Sequence, residues 1–161
     1  MQLIDLLNPE LTFCGLQVRS KKNLVSQISK LISQQIPDIN SDMLFDELIA
    51  RERLGSTGVG EGVGIPHCRI DHCHQPIGAL ITLQTPVDYD AIDNSPVDLL
   101  FVLLVPKKST DEHLQLLSQI AELLNQESIR NTLRNTKNHD ALYQAAKKVI
   151  LDQSEHETIL S

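Results

Sequence analysis

The sequence predicts an α/β fold, a mixed central β-sheet flanked by helices in a single domain, and three observations carry that prediction. Amphipathic helical patterns occupy both ends of the chain, short β-type segments lie between them, and no linker or repeat of useful period divides the 161 residues. Hydrophobic residues make up 41% of the chain, enough for a sizeable core. With two Tyr, three Phe and no Trp, that core must be built from Leu, Ile and Val.

Ser20 is a suitable N-cap for a first helix in which Leu24, Val25, Ile28, Leu31 and Ile32 recur at helical spacing. It should stop before Pro37. A second helix is expected after Ser41, with Leu44, Phe45, Leu48 and Ile49 on one face and Gly55 ending it. From Gly55 to Gly64 five of ten residues are glycine, which excludes helix. Val63 and Ile65 alternate with glycine and suggest a short strand leading into Pro66 and His67. Ile77–Thr85 reads as a strand, and Leu99–Val105 as one buried on both faces. Ser109 and Glu112 have capping-box spacing ahead of Leu116, Leu117, Ile120, Leu123 and Leu124. A shorter helix is expected near Ser128–Arg134, and a last one after Asn138 with Leu142, Ala145, Ala146, Val149 and Ile150 inward. Residues 1–152 then form the domain, and 153–161 a polar, frayed tail.

Net charge is −7, so the chain lacks the positive field that gathers nucleic acid, and no DNA or RNA partner is expected. No apolar run approaches the roughly 20 residues that span a bilayer. The first residues carry acidic groups and lack the basic start of a secretory signal, so a soluble, cytoplasmic protein is expected. Three cysteines, Cys14, Cys68 and Cys73, do not make a disulfide framework; free thiols are the simpler reading.

Reactive side chains are densest from His67 to His74. Phosphoryl transfer through His67 is the first reading, since a neutral imidazole is a competent nucleophile and such transfer depends on positioning and charge stabilisation. The glycine run could offer backbone N–H groups as an anion nest, Ser56 and Thr57 add hydroxyls, and Arg51 offers a fork of donors. His113 falls in the first turn of the capped helix, on the same face as Leu116, Leu117 and Ile120, where the positive dipole end favours a phosphoryl group. A metal module over His67–His74 is a second reading. Its spacing matches no zinc pattern, and adjacent His72, Cys73 and His74 cannot all face one ion. The bland reading makes His72 and His74 loop surface, Cys68 and Cys73 core filler, and His113 a satisfied core histidine. The glycines do not fit G-x-G-x-x-G, and neither a nucleotide P-loop nor G-x-S-x-G is present. The aspartates at 88, 90, 93 and 98 are expected in a solvated loop.

Arg51-Glu52-Arg53-Leu54-Gly55-Ser56-Thr57-Gly58, followed by Gly64-Ile65-Pro66-His67, resembles the active-site region of enzyme IIA proteins of the mannitol/fructose family of the phosphotransferase system. The resemblance is greatest to the nitrogen-regulatory branch. It extends through Ser20-Lys21-Lys22, Pro86-Val87-Asp88, Pro96-Val97-Asp98-Leu99 and Leu103–Leu124, covering roughly residues 3 to 150. It implies a mixed α/β fold, phosphorylation of His67, and Arg51 and His113 as its supporting residues. It further implies a histidine-containing phosphocarrier protein as donor, a regulated transporter, kinase or other protein as target, and no nucleotide, metal or organic cofactor. The sugar-transport branch, in which His67 would pass its phosphoryl group to an enzyme IIB domain, is the alternative; a IIA domain without appended domains favours regulation. Two residues depart from the family pattern: Cys68, where a small residue is common, and Glu61, whose carboxylate is expected to face solvent.

Overall fold

The computed structural model describes residues 1–109 and 112–160, without the side chains of Glu112 and of 156–160. Strand β6 (Val97–Pro106) organises it, and its near-continuous burial follows from an apolar run with no polar alternation. Along β6 the side chains divide strictly between two cores. Val97, Leu100, Val102 and Leu104 face α2 (Lys21–Gln35) and α3 (Ser41–Arg53). Leu99, Phe101, Leu103 and Val105 face the opposite layer of α1 (Leu3–Leu6), α4 (Glu112–Leu124), α5 (Glu127–Arg134) and α6 (His139–Leu160). The α/β expectation therefore holds, as helices on both faces of one sheet.

The sheet order is β1 (Thr12–Leu16), β5 (Ile77–Val87), β6, β3 (Val63–Gly64) and β2 (Gly58–Gly60), with β4 (His67–Ile70) also paired to β6. It is mixed: β5 runs antiparallel to β6, whereas β1 is parallel to β5 and both β3 and β4 are parallel to β6. Val63 faces Leu99 and His67 faces Leu103, so β3 and β4 continue one register along the same side of β6. Pro66 falls in the gap between them; its missing N–H loses nothing there, while its carbonyl accepts from the Leu103 N–H at 2.9 Å.

The helices begin where the sequence places them, with local differences. Ser20 caps α2 through the Asn23 N–H, but Asn40, not Ser41, caps α3 by accepting from Met43 N–H. Asn138 caps α6 through Ala141 N–H. The expected box from Ser109 to Glu112 lies outside the described residues. Strand β1, helix α1 and a 3₁₀ turn over Pro9–Leu11 were not predicted, because each is too short to show a period. Helix α6 runs to Leu160 where a frayed tail after Asp152 was expected; no Gly or Pro interrupts it. Among the described residues no helix is long and apolar enough to cross a membrane.

At Gly78 the N-terminal segment crosses the sheet closely: an added Cβ would lie 2.8 Å from the Leu6 carbonyl oxygen and 3.0 Å from Phe101. Gly78→Ala should therefore destabilise by about 1–3 kcal/mol. Thermal unfolding checks this, with a Tm lowered by several degrees expected.

Candidate functional site

Two turns of chain converge on His67. Because β4, among the described residues, is an edge strand paired with β6 alone, the end of α3 on one face and the start of α4 on the other both reach past it. They enclose a cavity of about 570 Å³ lined by Arg51, His67, Arg69, Lys107, His113 and Leu117, among others. Glu47 supplies a carboxylate to that lining. Three fixed cations against one anion make it locally basic in a chain of net charge −7.

The imidazole is fixed at both nitrogens. Nδ1 lies 2.7 Å from the Ile65 carbonyl, which can only accept, so Nδ1 carries the proton. Nε2 then bears the lone pair and accepts from Arg51 Nε at 3.3 Å. The same guanidinium donates through Nη1 to the Gly55 carbonyl at 2.8 Å, just past the C-terminal end of α3, where the helix dipole favours a positive charge. Burial lowers the His67 pKa below its ordinary value, and the charges of Arg51 and His113 act in the same direction; the bond to Ile65 and the charge of Glu52 oppose them. The ring is thus neutral at physiological pH, with its lone pair on Nε2. His113 is half-buried beside it in the first turn of α4.

Ser56 and Thr57 are placed differently from the expectation that their hydroxyls face the phosphoryl site. Ser56 Oγ donates to the Tyr89 carbonyl at 3.0 Å, and the buried Thr57 hydroxyl bonds to Glu52. Neither lines the cavity. The glycine run is a hairpin rather than an open nest: its backbone N–H groups at Thr57, Gly58, Glu61 and Ile65 are taken by Glu52, Ser56, Asp93 and Thr57. The two-residue turn between β2 and β3, Glu61 and Gly62, has φ of 59° and 75°, as a type I′ turn requires. A Cβ on Gly62 would lie 2.4 Å from the Arg134 guanidinium.

The aspartates expected to be merely solvated are partly structural. Asp93 accepts from Glu61 N–H at 3.0 Å, and Asp98 holds Arg134 Nε at 3.0 Å, while Arg134 also donates to the Glu61 carbonyl. The turn's backbone needs these partners, and no local pattern in the sequence announces residues that far apart. Glu61 itself is 71% exposed, as expected, with its carboxylate 3.8 Å from Arg130.

The downstream cluster does not assemble. His72 and His74 are exposed, and Cys73 is buried with its sulfur on the Gln75 carbonyl. Burial pushes the Cys68 thiol up to about 12, so it stays protonated, and all three cysteines are free. Among the described residues no group of three His, Cys, Asp or Glu could hold a metal ion.

A neutral histidine whose lone pair is turned toward a basic cavity can take and hold an anionic group. The chain belongs to the family described as phosphoenolpyruvate-dependent sugar phosphotransferase system, EIIA 2, whose model matches residues 5–149. It is therefore a phosphotransfer component of such a system. Within that family it is similar to the nitrogen regulatory protein of Pseudomonas aeruginosa, at 46% identity over 144 residues, covering 89% of this chain and 94% of that one. The crystal structure of nitrogen regulatory protein IIA-Ntr from Neisseria meningitidis matches with a TM-score of 0.79 at 37% identity, covering 89% of this chain and 97% of that one. IIA mannitol from Escherichia coli, at 17% identity and a TM-score of 0.70 over 86% of this chain and 97% of that one, shares the fold.

The lowered pKa keeps His67 neutral into acid below 6.5, and both the charge of Arg51 and its donation to Nε2 favour that form. An NMR titration should place the His67 midpoint below 6.5, and Arg51→Gln should move it upward.

Proposed function

We propose that His67 accepts a phosphoryl group on Nε2 from the phosphohistidine of a histidine-containing phosphocarrier protein, in the cytoplasm, and that the chain uses the modification as a regulatory signal. The observation that carries this reading is the ring's fixed tautomer, with Nδ1–H on Ile65 and Nε2 turned to Arg51 and the cavity. In the transfer, the lone pair on Nε2 forms the new N–P bond as the donor's N–P bond breaks and returns its pair to the donor nitrogen. The proton stays on Nδ1. The ring gains positive charge as the bond forms, and the Ile65 carbonyl stabilises it.

Arg51 and His113 act on the three phosphoryl oxygens. Arg51 need only turn its Nε–H from Nε2 to an oxygen of the incoming group, and the Gly55 anchor holds it in place for that. The start of α4 adds its positive dipole end. Ser56 and Thr57 serve the loop in this reading, not the phosphoryl group directly. Similarity to nitrogen regulatory proteins supports a signalling output over sugar transport: a dianion added at a cationic cavity changes which partner that surface binds.

Labelled phosphoenolpyruvate, passed through the general carrier proteins, tests the reading. Acid-labile label is expected on the native chain and none on His67→Ala. Arg51→Ala and His113→Ala should each lower the transfer rate about 10²–10³-fold. Absence of label on the native chain would overturn the proposal. Affinity capture with each form then separates the outputs: a channel regulator or kinase indicates signalling, an enzyme IIB domain indicates sugar transport.

A further inference from the structure

We infer that Glu52 is a positioning residue for His67, fixing through Thr57 and Ile65 the carbonyl that holds the ring in its reactive tautomer. The inference deepens the reading of His67 as the phosphoryl acceptor and rests on it.

The Glu52 side chain is only 6% exposed and gathers donors from three parts of the fold. Lys21, at the start of α2, reaches Oε2 at 2.8 Å, and the Thr57 backbone N–H reaches the same oxygen at 3.1 Å. The Tyr89 hydroxyl donates to Oε1 at 3.1 Å, and the Thr57 hydroxyl bonds to that oxygen too. Lys21 also stands 4.5 Å over the Tyr89 ring. A buried carboxylate with a cation and this many donors is held in one place.

Thr57 passes the constraint on. Its carbonyl accepts the Ile65 N–H at 3.0 Å, closing the stem of the glycine hairpin, and the Ile65 carbonyl accepts Nδ1–H of His67 at 2.7 Å. Half of that hairpin is glycine, which sets few of its own dihedral angles. The position of Ile65 must therefore come from outside the hairpin, and Glu52 anchors its stem. The neighbouring residue Arg51 binds Nε2 directly. Two consecutive residues at the end of α3 thus govern the two ring nitrogens, one by contact and one through the loop. Which nitrogen carries the proton depends on the bond the other makes, so loosening Ile65 releases the tautomer.

The test is Glu52→Gln in the full chain with ¹⁵N-labelled histidine, read well above the His67 titration midpoint. The native chain should show protonated Nδ1 and unprotonated Nε2. The variant should show a mixture of tautomers, and its transfer rate from a histidine-containing phosphocarrier should fall about 10- to 100-fold at unchanged KM. A variant that keeps the native His67 shifts overturns the inference, whatever happens to its Tm or its rate. The nitrogen shifts need no phosphodonor: a displaced tautomer in a chain that takes no label would uphold the positioning and reject the acceptor reading. Should Glu52→Gln not fold, Tyr89→Phe, which removes one donor to the carboxylate, takes its place. A displaced tautomer there supports the inference, and native shifts overturn it.

Discussion

The register of β3 and β4 against β6 is the constraint from which the site follows. With Val63 opposite Leu99 and His67 opposite Leu103, the imidazole stands at the start of an edge strand, backed by a strand buried on both faces. A slip of one residue would send His67 to the other face and Cys68 into its place. The slip is prevented because Cys68 and Ile70 belong to the core under α2 and α3, and because the Leu103 and Lys107 N–H groups are committed to the carbonyls of Pro66 and Ile70. Hydrophobic packing on one face and backbone hydrogen bonding along the edge agree on a single alignment. The position of the His67 ring is a consequence of that agreement.

Positive charge is gathered at one cavity in a protein that is itself acidic. Arg51, Arg69 and Lys107 line the cavity, while Glu52 is buried and neutralised by Lys21. Exposed pairs such as Lys107 with Asp71 at 3.4 Å contribute little stability in water. Their effect is on local potential. Desolvation of His67 favours the neutral ring, and the charges of Arg51 and His113 favour it further against the opposing Ile65 bond and Glu52 charge. Under the phosphorylation proposed for His67, the same cations would face a dianion instead of a neutral ring, and would hold the product.

Much of this was legible in the sequence, and what was not has physical causes. Helices α2 and α4 announce themselves because Leu24, Val25, Ile28 and Ile32, or Leu116, Ile120, Leu123 and Leu124, repeat with the helical period and are buried. Strand β6 is visible as an unbroken apolar run. His67, Arg51 and His113 could be singled out from residue type and setting, and the fold brings all three to one cavity. Ser56 and Thr57 were misleading: a hydroxyl in a glycine loop looks like a phosphate ligand until its own hydrogen-bond needs are counted, and both are met by Tyr89 and Glu52. The partners Lys21, Tyr89, Asp98 and Arg134 left no local signature, since each acts across a long separation in the chain.

The glycine run shows why loop composition alone is a weak guide to chemistry. Its glycines are needed for a tight turn and for close approach: Gly62 lies against Arg134, and a Cβ on Gly58 would sit 2.8 Å from that of Ala91. Such a hairpin is flexible by composition, yet it must hold a carbonyl in place against one nitrogen of an imidazole. Its tip is fixed by Asp93, Asp98 and Arg134, and its stem by Glu52. Rigidity is therefore supplied by charged side chains from α3, α5, β6 and the segment before it, while the glycines supply only shape. A polar network that would add little as a set of surface contacts gains importance here because it fixes one backbone oxygen, and with it the protonation of one ring.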